Sequence, residues 1–220
     1  MLLALAVGIG IAGIAYVVFA MWPRWPGVPA MAAHAPTLPI TVGGINFNIP
    51  PDSIRISMQR RPGAQSRLDL VFPWPDLTPG SAPAKHVTSV DLESLKAPDQ
   101  IFVTIVDAGG AMALTERLKV VYSRYVASEA AQGPEGLLIV NFRDGTPYQG
   151  EDLFFQASKP EAFIARCTRA VRATPGTCLY EHRVGGTNIT VRFPREWLKE
   201  WESLNHGFQR LLTMLQPAAS

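Results

Sequence analysis

Apolar residues follow three rhythms along this chain. From Leu2 to Met21 they run without a charge, a proline or a strongly polar group. Through the middle of the chain they alternate with polar residues in short runs. Between Pro194 and Pro217 they return every third or fourth position. The first rhythm predicts a segment apolar on all sides, the second β-strands with one buried face, and the third an amphipathic helix.

The alternating part reads as follows. "LPITVGGINFNIPP" predicts two short strands around Gly43-Gly44. "RLDLVFPW" places Leu68, Leu70, Phe72 and Trp74 on one face of a strand. Residues 75–99 are rich in Pro, Ser, Ala and Lys and predict a long surface loop before the strand "QIFVTIV". Leu114, Leu118, Val121, Tyr122 and Tyr125 recur at helical spacing and predict an amphipathic helix. Strands follow in "GLLIVNF", "DLFFQAS", "AFIARCT", "TCLYEHRV" and "TNITVRF", with Gly185-Gly186 a tight turn. Their short links predict antiparallel neighbours.

In the C-terminal helix Trp197, Trp201, Leu204, Phe208, Leu211 and Leu215 form a stripe that Leu198 and Leu212 widen. A wide stripe favours docking on the protein's own sheet, with a partner helix as the alternative. The predicted fold class is α+β: an N-terminal transmembrane helix, then one antiparallel-sheet domain with an amphipathic helix and a long C-terminal helix packed on it. The predicted domains are an anchor at 1–22, a Pro-rich linker at 23–39 and a single domain at 40–216.

"AVGIGIAG" matches the spacing of a dinucleotide loop, Gly8-x-Gly10-x-x-Gly13. Such a site needs a second strand with an acid about 20 residues on. Here no Asp or Glu precedes Asp52, and Pro23, Pro26, Pro29, Pro36 and Pro39 follow instead. About 20 apolar residues suffice to cross a bilayer core, and Trp22 and Trp25 stand where an aromatic belt would sit. Ala6/Gly10 and Gly8/Ala12 are small-xxx-small pairs through which anchors could form a homo-oligomer. Ala30-Met31-Ala32 and Ala33-His34-Ala35 resemble cleavage sites, but the apolar core is long and no Lys or Arg precedes it, so an uncleaved anchor is expected.

The 20 basic and 18 acidic residues nearly cancel, which gives no sign of a nucleic-acid partner. The only cysteines, Cys167 and Cys178, lie in two strand-like runs around Pro175-Gly176, so they are expected to face each other as a disulfide. A disulfide implies an oxidising compartment, here the periplasm, with the anchor in a bacterial inner membrane.

No catalytic motif, Walker loop, Cys/His metal cluster or cofactor signature occurs. The four histidines, His34, His86, His182 and His206, are scattered, and each is expected to face solvent or to be hydrogen-bonded. Arg143, Asp144, Tyr148, Glu151 and Asp152 stand on the connection "RDGTPYQGED", read as a strand-to-strand turn or, failing that, a protein-contact loop. Its carboxylates lack the spacing of a calcium loop. Trp74 in "FPWPDLTP" is either an exposed recognition residue or a core residue at the end of an edge strand.

"ITVGGINFNIPPDSIR", "FRDGTPYQGEDLFF", "RCTR…PGTCLYEHR" and "VRFPREWLKEW" resemble segments of an uncharacterised family of membrane-anchored envelope proteins from alphaproteobacteria. The resemblance spans most of residues 40–216. It implies a single anchor and a domain outside the cytoplasm, and brings no catalytic residue. The expected function is a non-enzymatic accessory or interaction subunit of an envelope complex, with an envelope protein as partner. The alternatives are a small-molecule or lipid binding module and, third, an envelope hydrolase.

Overall fold

Short alternating runs make sheets in this molecule because one side of each run is apolar enough to share a core. The computed structural model describes residues 36–77, 99–172 and 174–217. In chain order the strands and helices are β1 (Leu38–Val42), β2 (Ile45–Ile49), β3 (Gly63–Ala64), β4 (Arg67–Pro73), β5 (Gln100–Asp107), α1 (Leu114–Val120), β6 (Ala131–Gln132), β7 (Leu137–Asn141), β8 (Glu151–Gln156), β9 (Ile164–Thr168), β10 (Thr177–Val184), β11 (Thr187–Pro194) and α2 (Trp201–Leu215). β1 begins inside the stretch read as linker, at Leu38. The expected anchor, His34, His86 and most of the loop at 75–99 lie outside the described residues. No described helix is long and apolar enough to cross a membrane.

The main sheet has eight strands in the order β4-β5-β11-β10-β9-β8-β7-β6. Every neighbouring pair is antiparallel, as the short links predict. A second sheet of three strands, β2-β1-β3, departs from that expectation, because β1 and β3 run parallel. β3 reaches β1 through a long excursion after β2, so no tight turn dictates its direction.

Alternation gives the main sheet two different faces. One carries Leu70, Val103, Val191, Tyr180, Cys167 and Phe154 into a core shared with β1, β2 and α2. From α2, Trp201, Leu204, Phe208, Leu211 and Leu215 enter the same core, so the apolar stripe docks within its own domain. Each such side chain, fully buried, contributes about 1.5–3 kcal/mol. Tyr180 Oη donates to Asn205 Oδ1 at 3.0 Å and ties α2 to β10. On the other face Tyr122, Phe142, Leu153 and Ile164 form a smaller cluster beneath α1.

Both helices are shorter than their patterns predict. α1 stops at Val120, and Tyr122–Arg124 continue as a single 3₁₀ turn. The β-branched pair Val120-Val121 is a poor helix interior, and Tyr122 turns down into the small cluster. The C-terminal helix begins with a 3₁₀ stretch at Arg195–Glu200 before α2 proper. Here Arg195 is held to the sheet: its N–H donates to the Gly176 carbonyl at 2.9 Å, and its guanidinium pairs with Asp152 at 2.6 Å.

Candidate functional site

The residues singled out from sequence separate into three environments. Trp74 is half-buried past the end of β4, with its ring 5.4 Å from that of Trp197 and stacked on it. It belongs to the edge of the main core, not to an exposed platform. Arg143 and Asp144 are exposed on the β7–β8 connection, which Asp144-Gly145 turns with Gly145 at φ 75°. The Arg143 guanidinium donates to the Arg124 carbonyl. Tyr148 folds back from that loop onto Tyr122, Tyr125 and Phe142, with ring centroids 5.2, 5.8 and 4.9 Å away. Arg166 covers the Tyr148 ring at 5.1 Å and pairs with Glu151 at 3.2 Å.

Asp152 is interior, which corrects its reading as a contact residue. It is only 2 % exposed and pairs with Arg169 at 2.8 Å and Arg195 at 2.6 Å. Alternation explains this: along β8, Asp152 and Phe154 point to the main core and Leu153 to the small cluster. A buried carboxylate needs such partners to hold its charge. Across the ladder Asp152 stands opposite Cys167, which stands opposite Cys178. The two cysteines are bonded to each other, as the hairpin reading predicts, with Cα atoms 4.0 Å apart.

The sequence reading passed over another surface. Across the second face of the main sheet, Val71 pairs with Phe102, Phe102 with Arg192 and Arg192 with Leu179. Val71, Phe102 and Leu179 join neither core cluster. α1 covers this face on one side, where Arg117 pairs with Glu181. On the other side a strap at 54–66 crosses β4, and its Arg55 guanidinium lies 4.7 Å over the Phe102 ring. Toward the Pro175-Gly176 end of the sheet lies a shallow concavity of about 250 Å³ lined in part by Gln100, Phe102, Thr177, Arg192 and Pro194. Arg192 is exposed and has no ion-pair partner among the described residues. The signal was present in "QIFVTIV", where Phe102 falls on the strand face opposite Ile101 and Val103.

The strap is pinned by Asp69, 4 % exposed on β4. Its carboxylate accepts from Arg67 at 2.8 Å, from Gln59 at 3.0 Å and from Thr104 at 3.0 Å. The Arg67 hydrogen bonds hold its carboxyl at about 2, against the opposing effect of burial. On the core side His182 lies under Phe208 with ring centroids 6.0 Å apart, and burial lowers its pKa. His206 is exposed on α2. No cluster of three or more metal-binding side chains occurs among the described residues. Between main sheet and α2, Phe72, Phe163, Phe193 and Phe208 fill the space, none more than 1 % exposed.

No protein-family model and no curated protein matches the sequence. Two solved structures superpose over most of this chain. An immunity protein of the Stenotrophomonas maltophilia type IV secretion system superposes with a TM-score of 0.51 at 11 % identity, over 82 % of this chain and 93 % of that one. The Neisseria meningitidis iron-regulated outer membrane lipoprotein FrpD gives 0.46 at 10 % identity, over 84 % of this chain and 93 % of its own. At such identity the first likeness concerns the fold alone.

Proposed function

We propose that this chain is a non-enzymatic accessory protein of the bacterial envelope, anchored in the inner membrane by residues 1–22 with its domain in the periplasm. Its partner is another envelope protein, which docks on the open face around Phe102 and Arg192. The observation that carries this reading is the row Val71–Phe102–Arg192–Leu179, which lies outside both core clusters with Val71, Phe102 and Leu179 half-buried and Arg192 exposed. Aromatic rings and arginines are the side chains most enriched where proteins meet. The disulfide supports an oxidising compartment. The filled interior between sheet and α2 speaks against the alternative of a small-molecule or lipid pocket there.

The test is photocrosslinking from position 192 of the full-length protein in native membranes, with position 128 on the exposed β6–β7 side as control. One adduct from position 192, absent at position 128 and weakened about tenfold or more by Phe102→Ala, supports the reading. Isolation of the protein alone, or with a copurifying small molecule, moves the assignment to a binding module. A defined turnover that depends on one residue of the domain overturns both.

A further inference from the structure

The strap is built to hold one short turn still. Ile54 bridges Leu70 and is fully buried. The Arg60 guanidinium donates twice to the Ile54 carbonyl, at 3.1 and 2.9 Å, and closes the strap on itself. Gln65 Nε2 donates to the carbonyls of Gln59 and Arg61 at 3.0 and 2.8 Å, and the Gln65 N–H reaches the Thr41 carbonyl at 2.9 Å. Gly63 and Ala64 pair with Ile40 and Thr41 of β1. The part so fixed is the 3₁₀ turn Ser57–Gln59.

That turn presents apolar side chains outward. Met58 is 83 % exposed and Ile56 43 %. Arg55, Arg60 and Arg61 stand around them and are exposed as well. A single exposed apolar residue on a surface calls for no explanation. Here two of them lie exposed on a braced turn next to Arg61, in a stretch that carries two further exposed arginines, Arg55 and Arg60. Exposed apolar side chains beside several cations are complementary to an anionic lipid surface. Arginine stems lie along apolar surface while their heads stay with water or phosphate. The strap is also joined to β1, the first strand after the apolar segment at 2–21.

The geometry points to a membrane-contact site: the turn Ile56–Arg61 rests on an anionic phospholipid surface, with Met58 and Ile56 at the acyl boundary and the arginines on the lipid phosphates. This inference rests on the proposed membrane residence and adds to it an orientation for the domain. It shares Arg55 with the Phe102–Arg192 face, while Ile56, Met58 and Arg61 lie outside that face.

Cys167 and Cys178 are bonded to each other and fully buried. The full chain carrying Met58→Cys therefore has one reactive thiol for an environment-sensitive fluorophore. It is reconstituted into vesicles of phosphatidylcholine alone, or of phosphatidylcholine and phosphatidylglycerol in equal parts. The expected result is a blue-shifted emission, quenched by acyl-chain nitroxide lipid, only in the anionic vesicles and reversed by salt. Arg61→Glu lowers that signal about fivefold or more. Its side chain makes no hydrogen bond among the described residues, so the strap keeps its form. A label at Ser128→Cys stays aqueous in both vesicles. Circular dichroism and the intact disulfide establish that each variant is folded. An aqueous emission at position 58 in both vesicles overturns the inference, as does an equal shift in both or one that requires an added protein. Crosslinking lost at position 192 while position 58 keeps its shift separates this inference from the protein-binding reading.

Discussion

Gln59 and Asp69 are joined in both directions. Gln59 Nε2 donates to the Asp69 carboxylate at 3.0 Å, and the Asp69 N–H donates to Gln59 Oε1 at 2.9 Å. With the Arg55 N–H on the Asp69 carbonyl at 2.9 Å, one residue of β4 holds the strap at both Arg55 and Gln59. The strap in turn sets Arg55 over Phe102 and holds Met58 outward.

Acid is therefore expected to loosen the domain. Asp69 has its pKa lowered from 3.8 to about 2 by its Arg67 hydrogen bonds. A depressed carboxylate stabilises the fold above its unfolded pKa, and that contribution disappears as pH falls from about 4 to about 2. Its size is about 2 kcal/mol. Asp69→Asn lowers stability at neutral pH by a similar amount and flattens this part of the acid profile. Urea unfolding at a series of pH values measures both.

Reduction of the Cys167–Cys178 bond is expected to cost about 3 kcal/mol, because the crosslink closes a loop of sequence separation 11 in the unfolded chain. Non-reducing mass spectrometry of protein from native membranes should find the bridge. Denaturant midpoints with and without reductant measure its contribution. Free thiols in the native protein would refute the compartment argument as well.

Asp152→Ala leaves the Arg169 and Arg195 guanidiniums without their shared counter-charge inside the main sheet. Removing one partner of a buried ion pair costs about 3–5 kcal/mol. The lower end is expected here, because the Arg169 and Arg195 side chains are 38 % and 26 % exposed and can turn to water. The 3₁₀ stretch before α2 loosens with it, which amide exchange at residues 195–200 would detect.

Gly43→Ala tests a contact between two turns. A Cβ at Gly43 would overlap the Gly186 carbonyl, and Gly43 sits at φ +55°. The neighbouring Thr187 Oγ1 donates to the Val42 carbonyl at 2.7 Å and locks the same junction. The substitution should cost roughly 2–3 kcal/mol. Gly44→Ala, at φ +81° but with nothing within 4 Å, should cost less, and thermal unfolding of the pair separates strain from crowding.

Linear pattern determined much of this protein because burial follows period. "RLDLVFPW", "QIFVTIV" and the five later strands all form where their alternation predicts, and the C-terminal stripe buries Trp201, Leu204, Phe208, Leu211 and Leu215. The cysteine pair was legible because a short hairpin leaves few registers open. Period alone says which residues share a face; it does not say what covers that face. Only the tertiary structure decided that Asp152 lies between two arginines, that Trp74 stacks on Trp197, that Arg55 lies over Phe102 and that Arg192 stays exposed. Those outcomes depend on residues up to more than a hundred positions apart meeting in space, and no local spacing encodes such a meeting.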